Sequence, residues 1–203
     1  MILYLVRHGE TEANRNRLAL GRADVPLNDQ GERQARQLGE ALAGEPFAAL
    51  YSSPLSRATR TAQAIAERRE IAVQIKPGLI EMDIGEPEGL TFAEVRERFP
   101  GLLETWMSES GPQQAMPGGE RLVDVQSRSW DTIQSLAALH ANDTICAVTH
   151  NFVILSVLAT GLGIELGHFR RLRHAVAAIS VLEVRPGRIR VRRMNDTCHL
   201  SDD

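Results

Sequence analysis

Short apolar runs alternate along this chain with longer stretches of helical periodicity. Four runs, at 2–6, 48–51, 71–75 and 144–148, are predicted to be strands, and the first and last have the continuous hydrophobicity of strands buried on both faces. Such alternation favours an α/β fold, a three-layer sandwich in which a mostly parallel central sheet has helices on both faces. A length of 203 residues predicts a single domain over 1–203.

The segments between the strands carry helix signals. Asn28 is the predicted N-cap of a helix that extends to about Gly44. Ser53 is the predicted N-cap of the next helix, with Pro54 at its first helical position. Thr91 is predicted to begin a third helix, in a capping box with Glu94. Apolar spacing predicts further helices at about 120–140 and 152–160. Residues 8–27 are predicted to form a loop, and strands at 177–184 and 188–194 are predicted to flank a Pro186-Gly187 turn.

The charge balance excludes some functions. A net charge of −3 argues against a general nucleic-acid binder, whose affinity depends on an excess of Lys and Arg. The basic run at 188–193 alternates with period two, as expected of a strand with one solvated face. The two cysteines imply no disulfide framework, and no apolar stretch approaches the ~20 residues that span a bilayer. We therefore expect a cytoplasmic protein without a membrane partner.

Polar residues follow the predicted strands where each strand ends. Arg7 and His8 follow the first strand, Arg57 lies in the opening turns after the second, and His150 follows the fourth. Glu81 lies in the irregular segment after the third strand. Ligands of open α/β sheets bind beyond the carboxyl ends of the strands, so these five residues are candidates for one crevice.

These residue types suit phosphoryl chemistry. A charge near the buried end of a strand is costly unless it is paired, and a phosphate dianion would offset that cost. The planar guanidinium of an arginine matches two phosphate oxygens. An imidazole among arginines can attack phosphorus in line while the arginines stabilise the charge on the equatorial oxygens.

Further segments extend the pattern along nearly the whole chain, in order. They are Leu5-Val6-Arg7-His8-Gly9-Glu10-Thr11, Asn14, Gly21, Leu27-Asn28, Gly31, Ser52-Ser53-Pro54-Leu55-Ser56-Arg57-Ala58, Thr61-Ala62, Glu81, Pro117-Gly118-Gly119-Glu120 and Val148-Thr149-His150. Together they resemble the histidine phosphatase superfamily, the phosphoglycerate mutase-like group.

The resemblance implies a role for each matching residue. His8 would be the nucleophile that becomes phosphohistidine, and Glu81 the general acid and then the base, with Asp83, Glu86 and Glu88 as nearby alternatives for the acid. Arg7, Asn14, Arg57 and His150 would bind the phosphoryl oxygens. The scheme needs neither a metal ion nor a cofactor.

Other positions are candidates for contact with the substrate. They are Gly21, Asn151 and His199, with a local hydrogen bond as the alternative role for His199. The chain departs from the family pattern at Asn151, where a glycine is frequent, and at Pro87, where a tryptophan is frequent. These departures affect the wall of the substrate pocket rather than the chemistry.

Three functions fit this pattern. The first is hydrolysis of a small phosphorylated metabolite, because the basic insertion of the cofactor-dependent mutases is missing between Glu81 and Gly118. One alternative is a cofactor-dependent phosphoglycerate mutase, which is an isomerase. The other is a module that binds a phosphorylated ligand without turnover. The tail at 195–200 resembles those of metal-independent phosphoserine phosphatases and α-ribazole phosphatases. Family members are often dimers, so the resemblance allows a homodimer, although no segment marks an interface.

Overall fold

The computed structural model describes residues 1–186 and 188–201. Within these residues six strands form one sheet in the order β3-β2-β4-β1-β5-β6. The strands are β1 (Ile2–Arg7), β2 (Phe47–Ser52), β3 (Val73–Ile75), β4 (Thr144–Thr149), β5 (Ile179–Arg185) and β6 (Arg188–Asp196). Strands β1 to β4 run parallel, whereas β5 and β6 form an antiparallel edge. The predicted α/β class with a mostly parallel sheet is confirmed.

Helices cover both faces of the sheet. They are α1 (Glu12–Arg15), α2 (Asp29–Ala41), α3 (Ser56–Glu67), α4 (Phe92–Arg98), α5 (Leu102–Met107), α6 (Leu122–Leu139) and α7 (Asn151–Leu162). Short 3-10 helices lie at Pro77–Leu79, Gly111–Gln113 and Leu166–Arg171. None of the helices in the described ranges combines the length and the hydrophobicity needed to cross a bilayer.

The alternation of side chains along the strands divides the core into two layers. Leu3 and Leu5 of β1 pack in the layer that contains apolar residues of α6 and α7. Tyr4 and Val6 pack in the other layer, against apolar residues of α2 and α3. Both faces of β1 are therefore buried, and its polar continuation at Arg7 and His8 begins where the apolar layers end.

Several predicted boundaries were wrong. The predicted loop at 8–27 contains α1, because Thr11 and Asn14 cap each other through reciprocal hydrogen bonds. The helix predicted to begin at Pro54 begins at Ser56, with Leu55 as its N-cap, because the Ser53 hydroxyl bonds His150 instead.

Other differences concern length. The first predicted helix ends at Ala41 rather than near Gly44, and β3 is confined to Val73–Ile75. The strand predicted to begin at 177 begins at Ile179, because Ala177 has a positive φ of 54°. Helix α5 was not predicted. In the predicted Pro186-Gly187 turn, Gly187 lies outside the described residues.

Candidate active site

The carboxyl ends of β1, β2 and β4 meet in the middle of the sheet. The amide of His8 donates to the carbonyl of Thr149 at 3.1 Å, and the amide of Ser53 donates to the carbonyl of Val148 at 3.0 Å. The backbone pairing therefore continues beyond the strands and brings His8 beside His150. The centroids of their rings are 5.0 Å apart.

The ring of His8 is buried and held in one tautomer. Its Nδ1 lies 2.7 Å from the carbonyl oxygen of Gly9, which can only accept a hydrogen bond. Nδ1 therefore carries the proton, and Nε2 keeps its lone pair. Burial and the neighbouring Arg57 and Arg7 hold the pKa of His8 well below its ordinary value. His8 is thus a neutral imidazole with its nucleophilic nitrogen available.

His150 is also buried and neutral. Its Nε2 lies 2.6 Å from the hydroxyl of Ser53, and burial, followed by the nearby His8 ring and the cations Arg57 and Arg7, lowers its pKa well below the ordinary range. If the Ser53 hydroxyl donates to Nε2, Nδ1 carries the proton. Nδ1 is buried, and within the described residues it has no hydrogen-bond partner.

The two arginines of the site are held by backbone carbonyls. Arg7 donates to the carbonyl of His174, and Arg57 donates to the carbonyls of Ala23 at 2.8 Å and Gly21 at 2.7 Å. The Nε atoms of both arginines are buried and, in the described part of the chain, lack partners. Burial lowers the pKa of Arg7 to about 10 and also lowers that of Arg57. Both residues remain cations at neutral pH.

Glu81 is buried among backbone amides. Its Oε1 accepts from the amide of Met82 at 2.8 Å, and its Oε2 accepts from the amide of Phe152 at 3.3 Å. Burial raises the pKa of Glu81, and these amides and the arginines only partly oppose that shift. The carboxyl group is therefore disposed to hold a proton and to release it.

Asn14 and Asn151 line the same crevice. The Oδ1 of Asn14 accepts from the amide and the hydroxyl of Thr11, at 3.2 and 3.1 Å, which leaves its Nδ2 as a donor. The Oδ1 of Asn151 accepts from Arg7 at 3.3 Å, and the residue opens helix α7.

A carboxylate that sequence reasoning did not assign positions Arg57. The side chain of Glu88 accepts from three successive amides, those of Gly21, Arg22 and Ala23. The carbonyls of Gly21 and Ala23 are those that hold Arg57. Glu88 therefore shapes the loop that orients this guanidinium. The sequence indicated Glu88 only as an alternative to Glu81 for the acid.

A second network positions Glu81. Arg128 donates to the carbonyls of Gly78, Ile80 and Glu81, and Glu120 accepts from Arg128 and from Arg22. The hydroxyl of Thr149 donates to the carbonyl of Leu79 at 2.6 Å. The segment before Glu81 is thereby tied to the end of β4. Arg128 had no sequence signal, because its partners are backbone groups distant in the chain.

The crevice has a volume of about 280 Å³, and its 18 lining residues divide by polarity. Six are polar, namely Arg7, His8, Asn14, Arg57, Glu81 and Asn151. The other 12, here called the apolar wall, are Leu18, Ala19, Leu20, Ile84, Pro87, Phe92, Val95, Leu102, Leu103, Trp106, Met116 and Phe152. Of the residues predicted to bind the phosphoryl group, Arg7, Asn14 and Arg57 thus lie in a crevice that is otherwise largely apolar, whereas His150 lies beside His8 outside this lining.

Two of the predicted substrate contacts lie outside the crevice lining. Gly21 contributes its carbonyl to Arg57, and a Cβ there would lie 2.7 Å from the carbonyl oxygen of Met82. His199 lies in a separate cleft beside α2 and bonds the carbonyl of Ala177 at 3.0 Å, the local role that was its alternative. The structure therefore does not bring His199 to the crevice that contains His8.

The remaining histidines make structural contacts. His140 lies 2.7 Å from the hydroxyl of Tyr51, His168 lies 3.7 Å from a carboxylate oxygen of Glu109, and His174 lies 2.9 Å from the hydroxyl of Ser180. Over residues 1–186 and 188–201 no group of three or more His, Cys, Asp or Glu side chains is arranged to hold a metal ion.

Comparison with known proteins agrees with the resemblance drawn from the sequence motifs. The model of the family described as "Histidine phosphatase superfamily (branch 1)" matches residues 3–197. Phosphoserine phosphatase 1 of Hydrogenobacter thermophilus is 32% identical over 200 residues, which cover 98% of this chain and 94% of that protein.

Solved structures are similar over almost their full length. Bacillus stearothermophilus YhfR superposes with a TM-score of 0.91 at 32% identity, covering 98% of each chain. The α-ribazole phosphatase from Shigella flexneri superposes with a TM-score of 0.86 at 28% identity, covering 97% of this chain and 96% of that chain.

Proposed function

This chain belongs to the histidine phosphatase superfamily (branch 1), and we propose that it hydrolyses a small phosphorylated metabolite without a metal ion, through a phosphohistidine at His8. The observation that carries the proposal is the set of buried donors without partners. Within the described residues these are Arg7 Nε, Arg57 Nε and, with the Ser53 hydroxyl donating to Nε2 of His150, the Nδ1 of His150; they lie near a neutral imidazole, that of His8, whose Nε2 has a free lone pair. A phosphoryl dianion would satisfy these donors and neutralise the cations of buried Arg57 and half-buried Arg7.

In the first step, the lone pair of His8 Nε2 attacks phosphorus and the bond to the ester oxygen breaks. The departing alkoxide takes the proton of Glu81, whose raised pKa keeps a protonated carboxyl available. Arg7 and Arg57 stabilise the charge on the phosphoryl oxygens, so the chemistry does not call for a metal ion.

In the second step, the Glu81 carboxylate takes a proton from water while the water oxygen attacks phosphorus. The nitrogen–phosphorus bond breaks, inorganic phosphate leaves, and His8 regains its lone pair. The hydrogen bond from His8 Nδ1 to Gly9 is compatible with both steps, because only Nε2 changes its bonding.

Hydrolysis is favoured over isomerisation by the distribution of charge in the crevice. Its described lining contains two arginines, both used for the first phosphoryl group. Three more, Arg96, Arg170 and Arg173, line the adjoining cleft rather than the crevice, and Arg170 is held there by the carbonyls of Trp106, Met107 and Ser108. A bisphosphorylated intermediate would need a second group of cations. The binding-module alternative is disfavoured because the nucleophile, the acid and the phosphoryl-binding residues are all present.

The proposal is tested with p-nitrophenyl phosphate in excess chelator. We expect steady release of nitrophenol by the unaltered protein and none above background by His8→Ala. His168→Ala is the matched control, because it removes a partly exposed histidine outside the crevice, and it should retain full activity. Equal rates for His8→Ala and the unaltered protein would reject the nucleophile.

A second measurement separates hydrolysis from the alternatives. Rapid quenching during turnover should trap one acid-labile, alkali-stable phosphoryl group per active site, on the peptide that contains His8. Mutase activity would appear instead as interconversion of phosphoglycerates that requires a bisphosphate primer. Binding of a phosphorylated ligand without turnover and without a labelled His8 peptide would indicate a binding module that does not hydrolyse its ligand.

A further inference from the structure

The apolar wall continues from the phosphoryl-binding groups to the opening of the crevice. All six polar residues of the lining already have a role in binding the phosphoryl group, in its transfer, or in holding Arg7. Within the crevice, the rest of the substrate is therefore left with the 12 apolar residues of the wall. A charged group on the leaving alcohol would lose its water there without gaining a partner, which is unfavourable.

Aromatic residues make part of this wall rigid. The rings of Trp106 and Phe152 meet edge to face, with centroids 5.8 Å apart at 85°. Phe169 supports both from behind the lining, at 5.6 Å from Trp106 and 6.2 Å from Phe152. Rings fixed in this way present a preformed surface on which a flat apolar group can pack.

The opening of the crevice exposes further apolar area beside a more basic cleft. Phe92 is 61% exposed, and it lines both the crevice and the adjoining cleft of about 640 Å³, whose lining also includes Arg96, Arg170 and Arg173. Met107, which is 59% exposed, lines that cleft as well. Large exposed apolar side chains beside a pocket mark surface that a ligand can bury.

We propose that the leaving group of the substrate carries an uncharged aromatic ring, which packs on the apolar wall between Trp106, Phe152 and Phe92. This inference rests on the proposed phosphatase function and restricts its substrate class. It disfavours phosphoserine and phosphoglycerate, whose ammonium or carboxylate groups would face the apolar wall.

The test compares alkyl monoesters whose leaving alcohols are of similar basicity. The esters are 2-phenylethyl phosphate, ethyl phosphate, phosphoethanolamine, phosphoserine and 3-phosphoglycerate, all measured in chelator. We expect kcat/KM for 2-phenylethyl phosphate to exceed that of each other ester by at least ~10-fold, the scale of discrimination by an apolar pocket. Equal or higher values for the charged esters would overturn the proposal.

A variant pair tests the wall itself. Phe92→Ala removes an exposed ring, so folding should be preserved. It should lower kcat/KM for 2-phenylethyl phosphate about 3- to 10-fold more than it lowers kcat/KM for ethyl phosphate. Leu139→Ala, which removes an equally exposed apolar side chain from the distant end of α6, should change neither. An equal effect of Phe92→Ala on both esters would contradict a contact with the ring.

A binding measurement distinguishes failure of this inference from failure of the proposed function. His8→Ala cannot turn over a substrate by the proposed route, and phosphonates cannot be hydrolysed. Calorimetry should show that this variant binds 2-phenylethylphosphonate at least ~10-fold more tightly than ethylphosphonate. That preference would support packing of the aromatic ring on the apolar wall even if no ester were hydrolysed. Equal affinities would overturn the inference whatever the result with p-nitrophenyl phosphate.

Discussion

Two regions of this molecule each place arginines near a glutamate, and the pKa of the glutamate shifts in opposite directions in the two regions. On the antiparallel edge, Glu183 accepts from Arg192 at 2.8 Å and pairs with Arg185 at 2.7 Å. Those arginines are about half exposed or more, and hydrogen bonding from Arg192 holds the pKa of Glu183 below its ordinary value. In the crevice, burial raises the pKa of Glu81 despite Arg57 and Arg7.

The difference lies in what the arginines contact. On the edge, the guanidinium groups bond the carboxylate directly, so the charges compensate each other. In the crevice, Arg7 and Arg57 bond backbone carbonyls, and within the described residues neither forms a salt bridge with a carboxylate. Buried cations without an anionic partner are costly, so their arrangement indicates a ligand, whereas the edge cluster indicates a solvated surface.

The largest effect is expected from replacing one arginine in each region. Arg57→Lys should lower kcat/KM for p-nitrophenyl phosphate by about 10³-fold, because an ammonium cannot bond two carbonyls and a phosphoryl oxygen in the same geometry. Arg192→Lys should leave kcat/KM unchanged, because neither Arg192 nor its partner Glu183 lines the crevice. Steady-state kinetics on both variants measures these values. A similar loss of kcat/KM in the two variants would show that the crevice and the edge do not differ in their importance for activity.

The second effect concerns the buried glutamate. Glu81→Gln should lower kcat for alkyl esters about 10²-fold, because it removes the proton donor. With p-nitrophenyl phosphate, whose leaving group needs no proton, the variant should release a burst of one nitrophenol per site. Slow turnover should follow, because an amide cannot activate water. Stopped-flow absorbance measures the burst, and Glu183→Gln should behave like the unaltered protein.

The pH profile sharpens this prediction. Because the protonated form of Glu81 is the acid and its pKa is raised, kcat/KM for an alkyl ester should fall as the pH rises through that raised value. Glu81→Gln should lack this alkaline decline. On the acid side, His8 should stay active until the pH falls below its depressed pKa. An unchanged alkaline limb in Glu81→Gln would assign the decline to another group.

The sequence could predict much of this arrangement, and the reasons are physical. The apolar runs identify β1 and β4 as buried strands, and the carboxyl-end rule then places His8 and His150 at one edge of the sheet. The same local reasoning missed α1, because Asn14 rather than Glu or Gln completes its capping box. Helix α5 has only six residues, from Leu102 to Met107, too few to show a period.

The supporting residues could not be predicted because their partners are distant in the chain. Arg128 lies within α6 and donates to carbonyls 47 to 50 residues earlier. Ser53 satisfies the local preference for an N-cap, but its hydroxyl bonds His150, 97 residues away. Only the folded sheet brings these groups together, so local propensity gave the wrong start for α3.

A third, smaller effect is expected at Glu88. Its carboxylate binds the amides of residues 21–23, and this loop positions Arg57 through its carbonyls. Glu88→Gln keeps the volume but removes the charge and one of the two acceptor oxygens that bind the three amides. We expect kcat to fall about 10-fold and the inhibition constant of inorganic phosphate to rise, because Arg57 loses its fixed geometry. Glu86→Gln, an exposed neighbour, should change neither value. A fall in thermal stability with an unchanged phosphate inhibition constant would indicate a structural role alone.

The smallest effect is expected at Glu183. Because hydrogen bonding lowers its pKa, its ion pairs stabilise the fold at neutral pH, and this contribution is lost as the pH falls through that lowered value. Glu183→Gln should therefore lower Tm slightly at neutral pH, with a difference that disappears in acid, and should leave kcat/KM unaltered. Thermal melts across the acidic range test this. A loss of activity in Glu183→Gln would connect the two regions and show that the edge arginines influence the crevice.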